Sequence, residues 1–213
     1  MKSKKRNQLF SLFSLGIFIF VILSIVCAFI PYFKIDIIVS EKIQSINSLF
    51  FDKLMWNLTL IGNKWTMSAI IFCTGIVFYL FKFKKEAIFC TISTGIGALV
   101  GQIIKILVNR PRPTPDLIRV SSTLTDKSYP SGHVLVFTIF FGFMLFLLHK
   151  KVKNFKFSSI IPSIILIFLI TMIGISRIYL GAHWASDVLG GYLLGILWLI
   201  CTIRIYNSYN GKR

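Results

Sequence analysis

The sequence predicts an all-α, polytopic membrane protein of six transmembrane helices, with an interfacial amphipathic helix between the first span and the second. Three observations carry that expectation. Of 213 residues, 55% are apolar and only 15% are charged, which is more apolar surface than a water-soluble globule of this size buries. The apolar residues gather into uncharged runs bounded by charge, several near the roughly 20 residues that cross a bilayer at 1.5 Å per residue. The net charge of +17 is divided unevenly between alternate turns of the chain.

Taken in order, the uncharged runs are 7–33, 65–81, 87–104, 134–148, 157–176 and 188–203. The first follows Lys2-Ser3-Lys4-Lys5-Arg6, as a secretory signal would. Its apolar stretch is too long for such a signal and no small-x-small cleavage pattern follows, so it reads as an uncleaved span. Between the first two runs, Ile35, Val39, Ile43, Ile46, Phe50 and Leu54 recur at helical spacing with charges between them. That pattern predicts an amphipathic helix on the outer leaflet within 34–64. The fourth and sixth runs are short for a span, so their helices must take in residues around 131–133 and 183–187, which brings polar side chains to the membrane interface. Gly97 with Gly101, and Gly191 with Gly195, are spaced for close helix contact. Cys27, Cys73, Cys90 and Cys201 lie scattered in apolar runs, without pairing or metal-ligand spacing, and read as buried apolar residues. No repeat or linker divides the chain, so one domain over 1–213 is expected, with its chemistry in 86–205.

Six spans place both termini on one side. That side holds fourteen of the 24 basic residues, among them Lys82, Lys84, Lys85, Lys150, Lys151, Lys153, Lys156, Lys212 and Arg213, and one of the seven acids, Glu86. An excess of Lys and Arg marks the cytoplasmic face. The positive charge is thus accounted for by an anionic membrane, and nucleic acid is not an expected partner.

On the opposite side three segments stand out. Lys105 lies near the end of the third span and is followed by Asn109-Arg110-Pro111-Arg112-Pro113, where the prolines end the helix. In isolation such cations serve as headgroup anchors. Tyr129-Pro130-Ser131-Gly132-His133 opens the fourth span, with Ser131 placed to cap it and Gly132 leaving its N–H groups approachable by an anion. Ser176-Arg177 closes the fifth span, and His183 and Asp187 follow with the i, i+4 spacing that shares a helix face. Lys105, Arg112 and Arg177 with a helix N-terminus suit the oxygens of a transferring phosphoryl group. The histidines divide the remaining work: one attacks phosphorus and one protonates the departing oxygen. Asp187 is the only acid in these segments, so no metal or other cofactor is expected.

The ordered set Lys105-x6-Arg112-Pro113, Pro130-Ser131-Gly132-His133 and Ser176-Arg177-x5-His183-x3-Asp187 resembles the type 2 phosphatidic acid phosphatase superfamily. The resemblance implies that His183 becomes a phosphohistidine, that Asp187 orients it, and that His133 is acid and then base. It also implies that Lys105, Arg112, Ser131, Gly132 and Arg177 hold the phosphate. The expected activity is metal-independent hydrolysis of a lipid phosphate or diphosphate at the outer membrane face; undecaprenyl diphosphate, phosphatidylglycerol phosphate and phosphatidic acid are the candidate substrates. A lipid phosphotransferase using the same phosphohistidine and a non-catalytic lipid-phosphate binder or transporter are the alternatives. Arg110 and Arg119, outside the pattern, read as outward solvated charges, and His149 as an interfacial residue.

Overall fold

The computed structural model describes residues 2–121, 124–151 and 157–210, so Lys153, Lys156, Lys212 and Arg213 lie outside the described residues. The described residues form α1 (Lys2–Phe29), α2 (Lys34–Gln44), α3 (Leu49–Ile61), α4 (Lys64–Leu80), α5 (Lys84–Val108), α6 (Gly132–Lys151), α7 (Phe157–Tyr179) and α8 (Ala185–Asn210). Among them there is no strand. Five helices, α1, α5, α6, α7 and α8, are long and apolar enough to cross a membrane. The second expected span differs from a straight crossing: α4 qualifies only together with α3, to which it is joined at a 62° bend.

α6 is the centre. It packs against α5, α7 and α8, and 56% of its apolar window is buried, against 11% for α1. The glycine pairs permit this closeness. A Cβ at Gly97 would stand 2.5 Å from Ile139, one at Gly101 would stand 2.3 Å from Leu135, and one at Gly195 would stand 2.7 Å from Thr138. Without a hydrophobic force between helices in lipid, such backbone approach is what gains dispersion contact. Cys27 and Cys90 are buried as expected, whereas Cys73 and Cys201 face outward from the bundle; all four are free. Glu86, at the lysine-rich end, is buried against Lys151 (2.6 Å) and the Tyr206 hydroxyl (2.6 Å).

The segment expected to form one amphipathic helix is instead two helices, α2 and α3, with a break at 45–48. Ser48 takes the extended conformation and its Oγ accepts the Phe51 N–H at 3.4 Å, restarting the helix. Protein covers much of the apolar stripe. Val39, Ile43 and Leu54 pack on the core, while Ile35, Ile46 and Phe50 remain exposed. Gln44 locks α2 in place: its Nε2 donates to the carbonyls of Arg119 (2.8 Å), Tyr179 (3.1 Å) and Ile178 (3.3 Å), and its Oε1 accepts the Arg119 N–H (3.1 Å).

The turn from α7 to α8 depends on Gly181, whose φ is +65°. A Cβ there would lie 2.1 Å from the Arg119 carbonyl oxygen and 2.9 Å from Val120 Cα. Gly181→Ala is expected to cost about 2 kcal/mol or more from the backbone conformation and the clash together. Gly95→Ala, where a Cβ meets nothing within 4 Å, is expected to be neutral or to stabilise by about 0.5–1 kcal/mol. Melting temperatures in detergent check the contrast, and equal values for the two variants would contradict it.

Candidate active site

The three segments meet at the end of the bundle opposite Glu86 and Lys151. α5 stops because Asn109 takes the left-handed conformation (φ 53°), its N–H bonded to the Lys105 carbonyl at 3.1 Å, and the Pro-rich stretch behind it leaves the helix axis. Lys105, in the last turn, is buried and donates to Asp126 Oδ2 at 2.7 Å. Arg112 donates from Nη2 to Asp126 Oδ1 at 2.7 Å and from Nε to the Asp126 carbonyl at 2.9 Å. Its Nη1 donates to the Ala182 carbonyl and, at 3.2 Å, to His183 Nε2. The two cations therefore share one carboxylate, which presents an oxygen to each. Sequence reasoning did not single out Asp126; it lies in a loop without motif or periodicity.

At the start of α6, Ser131 N–H donates to the Asp187 carbonyl at 3.1 Å and ties this helix to α8. Its side chain does not cap the helix as expected. Ser131 Oγ is buried without a hydrogen-bond partner among the described residues. A Cβ at Gly132 would meet nothing within 4 Å, so no side chain crowds that side of the first turn, whose N–H groups have no partner within the helix. His133 stands against the bend between α3 and α4: a Cβ at Gly62 would lie 2.4 Å from its Cδ2. Arg177 donates from Nη1 to Thr59 Oγ1 at 3.0 Å, and its buried Nε has no partner among the described residues. Thr59 on α3 is a further residue that sequence reasoning missed as a site component.

His183 does not lie on a helix. It is in the turn before α8, with Trp184 between it and the first helical residue. Its Nδ1 is 3.6 Å from Asp187 Oδ2, an ion-pair distance too long for a hydrogen bond. Asp187 Oδ2 instead accepts from the Trp184 N–H at 2.9 Å, as the third residue of a helix does in half a capping box, and from the Ser128 hydroxyl. Because Arg112 donates to Nε2, the neutral ring carries its proton on Nδ1, facing Asp187 and the Ser128 Oγ 3.4 Å away. Burial, reinforced by Arg112, Arg177 and Lys105, holds His183 well below the usual imidazole range, so the ring is neutral at pH 7.

The remaining departure is Arg110. Expected as a solvated charge, it is fully buried and bridges Asp187 Oδ1 (2.6 Å) and Asp36 Oδ2 (2.9 Å). Arg119 is exposed, with its guanidinium 4.6 Å from the centroid of the Tyr179 ring.

An all-helical bundle with buried cations and two histidines gathered at one end of its apolar helices marks a multi-pass membrane protein. Residues 86–210, more than half of the chain, match the PAP2 superfamily, and the chain belongs to it. It is 27% identical over 167 residues to phosphatidylglycerophosphatase B of Bacillus subtilis (strain 168), covering 76% of this chain and 78% of that protein. It is 30% identical over 126 residues to an undecaprenyl-diphosphatase of Sulfolobus acidocaldarius, covering 57% of this chain and 56% of that one. The crystal structure of a transmembrane PAP2-type phosphatidylglycerolphosphate phosphatase from Bacillus subtilis shares the fold, with a TM-score of 0.79, 21% identity, and coverage of 92% of this chain and 96% of that chain.

The Asp126 bridge has a pH signature. Partial burial opposes ionisation, but the hydrogen bond from Lys105 and the charges of Lys105 and Arg112 hold the carboxyl down at about 2. A carboxyl whose folded value is depressed contributes its bridge fully above its ordinary value near 3.8 and loses it as pH falls through about 2. The Asp126 side-chain carbonyl-carbon resonance in detergent is expected to titrate near 2. A midpoint at or above 3.8 would show that the carboxylate does not sit between the two cations.

Proposed function

We propose that this protein is an integral membrane lipid phosphate or diphosphate phosphatase that works without a metal through a phosphohistidine on His183. The observation that carries the reading is that two of the three buried unpartnered side-chain polar atoms among the described residues, Ser131 Oγ and Arg177 Nε, belong to the motif segments that also hold a neutral His183. Unpaired buried donors are costly, and a phosphate bound among them satisfies both. Lys105, Arg112, Arg177, Ser131 and the N–H groups at Gly132 hold the phosphoryl oxygens. His183 Nε2 attacks phosphorus and the bond from phosphorus to the lipid oxygen breaks, while that oxygen takes a proton from His133. Water then attacks the phosphohistidine, His133 accepts its proton, the N–P bond breaks and inorganic phosphate leaves. Asp187 faces Nδ1 and offsets the positive charge that develops on the ring.

Support for the absence of metal chemistry lies in the carboxylates themselves: Asp36 and Asp187 are paired to Arg110, and Asp126 to Lys105 and Arg112. The names of the relatives support a lipid substrate, with phosphatidylglycerol phosphate and undecaprenyl diphosphate the leading candidates and phosphatidic acid a third. The lysine-rich turns support cytoplasmic termini and a site that faces outward, and the packing of α6 on α5, α7 and α8 supports a single domain.

In EDTA-treated mixed micelles, the wild-type protein is expected to release inorganic phosphate from at least one of these three lipids. His183→Ala is expected to abolish release, and His133→Ala to slow it by about 10²–10⁴-fold. No release from any of the three lipids, or near-wild-type turnover in either variant, would overturn the reading. Asp126→Asn removes the internal anion from Lys105 and Arg112, so it is expected to lower the orthovanadate concentration for half-inhibition several-fold. A higher concentration would show that Asp126 chiefly holds the two cations in place.

A further inference from the structure

Arg110 and Asp36 belong to no motif, yet they form the most deeply buried ionic network among the described residues, with Asp36, Arg110 and Asp187 each 0% exposed. The guanidinium uses each of its nitrogens. Nη1 donates to Asp187 Oδ1 (2.6 Å) and Ser186 Oγ (2.7 Å), Nη2 donates to Asp36 Oδ2 (2.9 Å), and Nε donates to the Pro31 carbonyl (3.0 Å). Asp36 also accepts the N–H of Phe33 at 3.0 Å and the N–H of Ser186 at 2.8 Å. Burying three ions is costly, and apolar packing would join α2 to α8 with less loss of solvation. What apolar packing would not provide is a charged grip on one oxygen of Asp187 that leaves the other facing His183.

We infer that Arg110 and Asp36 are positioning residues for phosphoryl transfer: Arg110 sets the orientation of the Asp187 carboxylate, and Asp36 balances the Arg110 charge so that Asp187 stays available to His183. The inference rests on the phosphohistidine reading above. With Oδ1 held by Arg110, and Oδ2 receiving the Trp184 N–H and the Ser128 hydroxyl, the carboxylate plane is fixed and Oδ2 stays 3.6 Å from Nδ1. If Asp36 were neutral, the whole Arg110 charge would fall on Asp187, weakening its attraction for the cationic ring of the intermediate. If Arg110 were neutral, two buried carboxylates would share a site with no cation between them, and Asp187 would turn. Neither residue touches the phosphate, so both act on turnover and not on substrate affinity.

The test measures kcat and KM for phosphate release, the folded fraction by size-exclusion chromatography, and the His183 side-chain ¹⁵N signals. Arg110→Gln is expected to lower kcat about 10²-fold, a misalignment effect. Asp36→Asn is expected to lower it about tenfold. KM should stay within about threefold of wild type for both, because uniform binding is untouched. The double variant Asp36→Asn/Arg110→Gln removes one charge of each sign, and is expected to fold and to recover about tenfold of the kcat lost in Arg110→Gln. Wild-type kcat in the single variants, or equal losses in kcat and 1/KM with no recovery in the double variant, would overturn the inference. The ¹⁵N signals separate it from the phosphatase reading. Arg112 still fixes the Nε2 side, so a Nδ1 signal that shifts in Arg110→Gln while the Nε2 signal stays in place supports positioning even if no lipid is hydrolysed. An unchanged Nδ1 signal with unchanged kcat sinks the inference while phosphate release stands.

Discussion

Crowding cations at the end of an apolar bundle is unfavourable unless each is given an anion, and this requirement organises the end of the protein that carries the two histidines. Lys105, Arg110 and Arg177 are buried and Arg112 nearly so, so none of them has bulk water to stabilise its charge. Arg110 is balanced from within, by Asp36 and Asp187. Lys105 and Arg112 are balanced by Asp126, the half-exposed member of the set. Among the described residues, Arg177 hydrogen-bonds through its side chain to the neutral hydroxyl of Thr59, and its Nε has no partner. Charge compensation is therefore permanent on one side of His183, provided by an exposed loop in the middle, and incomplete on the other side, at Arg177.

Helix packing places these groups because it acts through backbone as much as through side chains. Gly97 and Gly101 draw α5 onto α6, so Lys105 at the end of one helix reaches the level of His133 at the start of the other. The bond from Ser131 N–H to the Asp187 carbonyl sets the start of α6 against the start of α8. The bend after α3 presses Gly62 onto His133 and brings Thr59 to Arg177. A single bundle end thus gathers contributions from α3, α5, α6, α7, α8 and the connecting turns.

Much of this was legible in the sequence, and what was not shares a physical cause. Apolar runs and glycine spacing are local patterns, so α1, α5, α6, α7 and α8 lie close to where the runs predict them. The eight motif residues converge at one end of the bundle as their order implies. The break of 34–64 into α2 and α3 escaped, because the apolar spacing continues through Ser45 and Ser48 without a phase change. His183 was expected on a helix face, since an i, i+4 spacing does not tell a helical turn from the capping turn before it. Arg110, Asp126 and Thr59 were passed over because their roles depend on partners separated from them by 14 to 118 residues. Adjacency to Arg112 was the one local clue to Arg110, and a basic residue there reads equally well as an anchor.

The Gln44 clamp has a consequence for how such chains drift apart. Among the described residues, its side-chain hydrogen bonds all go to main-chain groups, those of Arg119, Ile178 and Tyr179. A bond to a carbonyl or an N–H is indifferent to the side chain that follows. Position 119, which is exposed, is therefore free to vary in size and polarity without loosening α2, whereas Ile178 is buried in the core and position 44 needs an amide that both donates and accepts. Change at the exposed position 119 thus leaves the helix that carries Asp36 in its place.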